Sequence, residues 1–384
     1  MPLTNKPRIC FVGNAADIHV QRWSKYFADN GYQVHIISRY PSSEIPEYIT
    51  LHVLKPYGVK IKGLKYLITP LSILIQISRL LKTIKPDAVH CFGAEFYTII
   101  TALAGFHPLL IWPWGTDVLI DPKESVIMRY CVPFALKRAD IIIYDGENMR
   151  EAVVKMGVPA EKFEKILQGV DVNKFKNFKR DTKLREELKL DDSPTVISTR
   201  RFGPSHDIVT IAEAIPLVLK HIPEAKFVFV GEGEQKESVV AKIKALKVLD
   251  ATRFVGRVQN DDLPRYLSSS DVHVSTSVSD SGLSIATAEA MVCELPVIVT
   301  DFGDNRSWVE DGVNGFAIPP RDHHSLAKNI VYLLENEKIR EEFGKRNKKI
   351  IEERNNYHIE MKKMDGIYRE LIVKHKGPSK NTCG

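Results

Sequence analysis

Apolar residues along this chain come in short unbroken runs rather than in alternation. "RICFVG", "VHIIS", "DAVHCFG", "LLIWPWG" and "DIIIYDG" follow one another through its first part, each pair separated by a segment able to hold a helix. A run that is apolar at every position suits a strand buried on both faces, the condition of a parallel sheet sandwiched between crossover helices. A polar stretch around residues 168–195 breaks the series, which resumes with "TVISTR", "KFVFVGEGE", "RFVGRV", "DVHVSTSV" and "LPVIVTD". The pattern predicts two doubly wound, Rossmann-like α/β domains with parallel sheets, residues 1–172 and 173–355, joined near residue 175. Such domains facing a central cleft would take ligands at the carboxyl ends of their strands. A last helical pattern over residues 356–375 either closes the second domain or crosses back onto the first.

Composition adds little to this. The 384 residues are 44% hydrophobic and 27% charged, as in an ordinary globular chain. The start, "MPLTNKPRICFVGNAADIH", passes straight into a strand pattern, so no signal peptide is expected. Cys10, Cys91, Cys131, Cys293 and Cys383 are widely spaced and include no CxxC pair, which points to reduced thiols and a cytoplasmic setting.

Charge changes the picture in one place. The net +6 is concentrated in residues 1–170, and residues 55–85 carry seven basic residues and no acidic one. The middle of that stretch, "YLITPLSILIQIS", is apolar, but it is broken by Pro70 and shorter than the roughly 20 residues a bilayer requires. It suits an anionic membrane surface, with residues 60–85 as the contact; it equally suits a core helix whose lysines snorkel at its ends. Aromatics are not interleaved with the basic residues, so nucleic acid is not an expected partner.

Candidate chemistry lies at strand ends. Glu289 stands in "SDSGLSIATAEAMVCELPVIV", which reads as loop, helix and buried strand. Its neighbours three and four positions away, Ile285, Ala286, Val292 and Cys293, form an apolar stripe, so the carboxylate is either paired inside the protein or directed at a ligand. Ser281, Gly282 and Ser284 precede this helix and offer hydroxyls and backbone N–H groups to an anion. "STRRFGPSHD" places Arg200 and Arg201 at a strand's carboxyl end, where a guanidinium fork matches phosphate oxygens. Gly13, in "VGNAADIHVQRW", allows a tight turn before a helix starting near Ala16 or Asp17. The full GxGxxG pattern is missing there and at Gly231 in "VGEGEQK", which leaves a nicotinamide-dinucleotide enzyme poorly supported. The sequence has no HExxH, no Cys/His cluster and no GxSxG, so neither a metal nor a serine nucleophile is expected.

"ADIIIYDGENMREAVVKMGVPAEKFEKILQGVDVNKF", "KFVFVGEGE", "FVGRV" and "SDSGLSIATAEAMVCELPVIVTDFGDNRSWVEDGVNGFAIPPRD" look like the retaining glycosyltransferases of family 4, which have the GT-B fold. The resemblance spans essentially the whole chain and is strongest from Glu232 to Asp322. It implies that the second domain binds a nucleotide-sugar donor and the first an acceptor. On this resemblance Glu289 is the second glutamate of an E-x7-E motif and holds the donor ribose. The motif's first position falls on Ser281, with Asp280 before it, and these two with Leu283 would lie near the donor sugar. The amides of Gly282 to Ser284 would face the diphosphate. Arg201 matches an arginine that grips the diphosphate, Ser205 or His206 stands where the family has a lysine, and Arg200 would supply the missing charge. Arg257 and Val258 match the loop that meets the nucleobase, and Gly13, Asn14 and Gly231 match turns beside the donor. In the first domain Trp114 occupies the place of a family histidine, Asp117 is the polar candidate beside the acceptor, and His19 lies near the first loop.

The chemistry implied is metal-free transfer with retention, in which the leaving diphosphate helps deprotonate the acceptor hydroxyl. Arg201, Asp117 and Glu289 are its catalytic candidates. The nucleotide sugar, a UDP-hexose in preference to GDP-mannose, is a substrate, and no cofactor is implied. The acceptor would be a glycan or a lipid-linked sugar in cell-surface polysaccharide or glycolipid biosynthesis, reached from the cytoplasmic side of the membrane. Two other functions stay open: a non-catalytic sugar-nucleotide or glycan sensor, since three family positions depart from the pattern, and a sugar-nucleotide epimerase of the same fold.

Overall fold

A computed structural model describes residues 6–55, 62–175 and 178–376, with all their side chains except those of residues 62–67. The chain divides into two compact units. One contains the described residues up to Ile166 and from Glu360 onward, the other Leu167 to Ile359.

Seven parallel strands form the first unit's sheet: β1 (Arg8–Val12), β2 (Gln33–Ser38), β3 (Thr50–Val53), β4 (Ala88–Phe92), β5 (Leu109–Trp112), β6 (Ile141–Tyr144) and β7 (Phe163–Lys165). Their order is β3-β2-β1-β4-β5-β6-β7, so the winding reverses between β1 and β4. Alternate residues of a strand point to opposite faces. Phe11, His90, Phe92 and Trp112 enter an aromatic layer with Trp23 and Phe27 of helix α1 (Ile18–Asp29). Helix α1 buries Val20, Trp23, Ser24 and Phe27, one stripe of a 3.6-residue period, and Asp17 caps it by accepting the His19 N–H at 2.7 Å. Cys10, Val12, Val89 and Cys91 enter the opposite core, against α2 (Lys62–Ile84), α3 (Phe96–Leu103) and α4 (Val126–Arg138).

The second unit repeats the plan with six parallel strands, β8 (Thr195–Ser198), β9 (Lys226–Val230), β10 (Thr252–Gly256), β11 (Val272–Ser275), β12 (Val297–Thr300) and β13 (Gly315–Ile318). Their order is β10-β9-β8-β11-β12-β13, with the reversal between β8 and β11. Val196, Phe227, Phe229, Val272 and Ile298 pack on one face, and Ile197, Val228, Val230, Val297 and Val299 on the other. Both faces are covered, which is why these runs read as continuously apolar.

Three strands do not stand out in the apolar pattern. β3 and β7 are edge strands with largely exposed or half-exposed side chains, and β13 is the short "GFAI". The polar stretch around residue 175 is not a free linker. Val170, Val172 and Phe175 are buried in the second unit's core, and Thr182–Glu187 is a helix capped by Asp181. The unit boundary accordingly falls at Ile166, not after residue 172, because Val170 bridges to Asn356 and the Gly169 N–H donates to the Asn355 side chain at 3.1 Å.

Helix α2 places Ile73, Ile77, Leu81 and Ile84 in the first unit's core, so the inner stripe of the basic, apolar stretch is structural. Lys60 lies outside the described residues, as do the side chains of Lys62 and Lys65. No described helix is long and apolar enough to cross a membrane.

From Glu360 the C-terminal helix, Tyr357–Lys376, belongs to the first unit. The Tyr368 ring is wholly buried, edge-on to Phe27, with its hydroxyl 2.5 Å from His90 Nδ1. The Tyr32 hydroxyl donates to Asp365 at 2.5 Å, and Lys376 pairs with Asp87. Tyr368→Ala should therefore destabilise the first unit by about 3–5 kcal/mol, the usual range for removing a buried aromatic ring. Calorimetry should show one transition moved to lower temperature and the second unit's transition in place.

Candidate functional site

Loops leaving two strands on either side of a winding reversal diverge to opposite faces of a sheet, and the crevice between them takes ligands. In the second unit those loops follow β8 and β11, and they are fastened together. Val278 N–H and Ser277 Oγ both donate to the Ser205 carbonyl, at 2.8 and 3.2 Å. Thr276 Oγ1 donates to the carbonyls of His206 and Asp207 at 3.1 and 2.8 Å. The loop after β9 joins them: Phe202 N–H donates to Glu232 O, and Gln235 N–H to Phe202 O. Gly231 is required there, because a Cβ on it would lie 2.6 Å from the Arg200 carbonyl.

Arg200 lies across this crevice. One terminal nitrogen donates to Asp280 Oδ1 at 2.6 Å and stands 3.2 Å from His206 Nδ1. Its side chain is only 10% exposed, and its Nε is buried with no hydrogen-bond partner. Arg201 differs. It is 67% exposed and pairs with Glu234 at 2.8 Å. The sequence ranks Arg201 first for an anion; in the fold Arg200 is the arginine enclosed between the loops, and Arg201 stands at their rim. Ser198 Oγ, at the end of β8, and His273 Nδ1, within β11, are also buried without partners.

Behind the β11 loop, Ser284 caps the helix Ile285–Val292, its hydroxyl accepting from Thr287 N–H at 3.2 Å. The Asp304 N–H donates to the Ser281 carbonyl at 3.2 Å, which ties down the residues before Gly282 and Leu283. Glu289 is buried on this helix and accepts a hydrogen bond from Asn260 Nδ2 at 3.2 Å. Asn260 Oδ1 in turn accepts from Lys174, which also pairs with Asp261 at 2.5 Å. Asn260 belongs to the loop that begins with Arg257 and Val258, so the glutamate and that loop are joined directly. Arg257 is exposed, and Val258 packs against the core.

In the first unit, Gly13 and Asn14 form the turn after β1. Gly13 N–H donates to the Ile37 carbonyl at 3.2 Å, and Asn14 Oδ1 accepts from Ala16 N–H at 3.0 Å. His19 meets the Trp114 indole edge-on, with centroids 5.8 Å apart. Asp117 is buried beneath them, and its carboxylate accepts backbone N–H groups from Ala94 at 2.5 Å, Gly115 at 2.9 Å and Trp114 at 3.0 Å. Burial pushes its pKa up while these amides oppose the shift. The three acceptor-side candidates thus stand together, with Asp117 acting as a clamp between the loops after β4 and β5.

Residues 179–350 match the family model described as glycosyl transferases group 1, and residues 8–146 the one described as glycosyl transferase 4-like. The chain belongs to the group 1 glycosyltransferases. It is 24% identical over 352 residues to the sulfoquinovosyl transferase SQD2 of Arabidopsis thaliana, covering 85% of this chain and 64% of that protein. It thus spans about two thirds of that relative's length. Among solved structures, sucrose-phosphate synthase from Thermosynechococcus elongatus superposes with a TM-score of 0.81 at 19% identity, over 96% of this chain and 100% of that one. HepE of Anabaena, solved in complex with UDP-glucose, superposes with a TM-score of 0.80 at 20% identity, over 95% and 100%. This group 1 glycosyltransferase shares with those structures the GT-B plan of two parallel-sheet α/β domains.

Four participants escape a reading of the sequence: Asn260, Lys174, Glu234 and His273. Each is brought in by a contact between residues far apart in the chain. Among the described residues, no three His, Cys, Asp or Glu side chains come together in a way that could hold a metal ion.

The site's histidines are held neutral. Burial, then the nearby Arg200, lowers His206 to about 4 and His273 to about 3. Burial alone takes His90 of the first unit to about 3 and is the main cause that lowers His19 to about 4. The unfolded chain takes up these protons near pH 6.5 and the folded chain refuses them, so stability present at neutral pH is lost as pH falls from about 6.5 toward 4. Denaturant unfolding across that interval should show a loss on the order of a few kcal/mol. His273→Gln should flatten the part of that dependence belonging to the second unit.

Proposed function

We propose that this group 1 glycosyltransferase moves a hexose from a nucleotide-sugar donor, UDP-linked in preference to GDP-linked, onto a glycan or lipid-linked acceptor. The transfer retains the anomeric configuration and needs no metal. The observation that carries this reading is Arg200, a nearly enclosed guanidinium with a buried, unpartnered Nε, set between two fastened loops at the winding reversal of the second sheet. A fixed donor of that kind suits an oxyanion that gains charge as a bond breaks. The N-terminus of the Ile285–Val292 helix adds backbone dipole at the same loop.

In this reading Arg200 and the amides of Gly282 to Ser284 take the diphosphate, with Arg201 at the rim. Glu289, held by Asn260, takes ribose hydroxyls, and the loop at Arg257 and Val258 meets the base. Asp280 and Ser281 influence which sugar is accepted. The leaving diphosphate itself receives the acceptor proton, so no carboxylate of this chain is needed as a base. The UDP-glucose bound by HepE supports a uridine donor. A role in building cell-surface polysaccharide or glycolipid belongs to the same proposal.

Calorimetric titration tests the assignment. Arg200→Ala should weaken binding of UDP by roughly tenfold to a hundredfold, as for loss of a charge-assisted bond, while Arg201→Ala should cost only a few-fold because exposed pairs contribute little. Glu289→Gln should also weaken UDP; unchanged affinity with a lowered melting temperature would make Glu289 a structural partner of Asn260 only. The product's anomeric configuration, read by NMR with EDTA present, should match the donor's. Inversion, or activity abolished by the chelator and restored by a divalent ion, would overturn the retaining, metal-free mechanism.

A further inference from the structure

Helix α4 covers the sheet with Val132, Ala135 and Leu136, all fully buried. The opposite side of the same helix is also apolar. Val126, Ile127 and Tyr130 are 67%, 72% and 73% exposed, and Phe134 is exposed as well. At 100° per residue these four fall within one third of the helix circumference, so they form a single outward stripe. Single exposed apolar residues are ordinary, but a contiguous stripe on a helix already anchored by its other face marks a contact surface. The stripe continues on neighbouring helices of the layer, with Leu103 at the end of α3 and Leu71 and Ile75 on α2.

Charge identifies the kind of partner. Together α2, α3 and α4 carry seven Lys and Arg residues and not one Asp or Glu. Arg79 and Lys82 extend the exposed side of α2, and Lys137 and Arg138 end α4, where the Arg138 guanidinium lies 5.6 Å from the Phe134 ring. The nearest acidic residues, Glu95 before α3 and Asp121 and Glu124 before α4, stand at the N-terminal ends of those helices, at the opposite end of α4 from Lys137 and Arg138. Exposed aromatic and branched side chains in a layer where cations outnumber carboxylates are complementary to the interface of an anionic bilayer, where rings sit at headgroup depth and cations meet phosphates. We infer that the outer face of the α2–α3–α4 layer seats this protein on an anionic lipid surface, with the exposed stripe of α4 as its apolar anchor. This goes beyond the transfer reaction and does not depend on it.

Flotation of the full chain with vesicles tests the inference. Phosphatidylcholine mixed with phosphatidylglycerol should carry the protein upward and phosphatidylcholine alone should not, with added salt weakening the association. Lys82→Glu/Lys137→Glu/Arg138→Glu should weaken binding roughly a hundredfold, from about fivefold for each cation lost at such a surface. Tyr130→Ser/Phe134→Ser, on exposed positions, should lower it at least about tenfold. Both variants should remain folded by circular dichroism and keep the wild-type UDP titration, which separates failure of this inference from failure of the donor-site reading. Absence of flotation with the mixed vesicles would overturn it, as would flotation indifferent to both variants. A concentration-dependent dimer in sedimentation equilibrium, dissolved by Tyr130→Ser/Phe134→Ser, would overturn it in favour of a second copy of the chain.

Discussion

A parallel sheet with helices on both faces leaves its strands no wet side, and the rest of this molecule follows from that constraint. Within β1, β4 and β5 of the first unit, and in the strands of the second, nearly every side chain is spent on packing. Polar groups survive only where the strands end. Two histidines break the rule, His90 in β4 and His273 in β11, and both remain neutral because burial gives a charged imidazole nowhere to be solvated. The chemistry is thereby confined to the carboxyl-end loops, and these are stiffened by bonds to each other rather than by the sheet.

Electrostatics at the second unit's rim is balanced rather than simply positive. Arg200 faces Asp280 and Arg201 faces Glu234. An anion arriving there makes its bonds in exchange for existing ones, so affinity rests on how well its oxygens match fixed donors and less on net charge. The enclosed pair weighs more than the exposed one. Taking Asp280 away would leave a guanidinium in a nearly dry setting, whereas Glu234 and Arg201 separate into water at little cost.

Much of this architecture was legible in the sequence because continuous apolar runs carry an unambiguous meaning when both sheet faces are covered. β3 and β7 escaped because edge strands are wetted and lose that signature, and Phe175 was misplaced in a linker because an isolated aromatic among lysines resembles a surface residue. Glu289 was recognisable from its apolar neighbours, and the arginines from their place after a strand. What the sequence did not rank was Arg200 over Arg201, since adjacent residues in a loop differ only in which way the backbone turns them. Asn260 was likewise invisible, because a bond across 29 positions leaves no local pattern. Asp117 shows the converse: a polar residue in a suggestive motif whose carboxylate is committed to backbone amides.

The discontinuity of the first unit sets an order of assembly. Its sheet is encoded before Ile166, but one wall of its aromatic layer is Tyr368, which leaves the ribosome only after the whole second unit has been made. The second unit is continuous and complete once Ile359 has emerged. Domains commonly mature in the order of synthesis, whereas here the half translated first is finished last. Until then Phe27, Tyr32 and His90 lack a ring that covers them in the native state, so the nascent first half presents aromatic surface to chaperones for as long as the second half takes to be made.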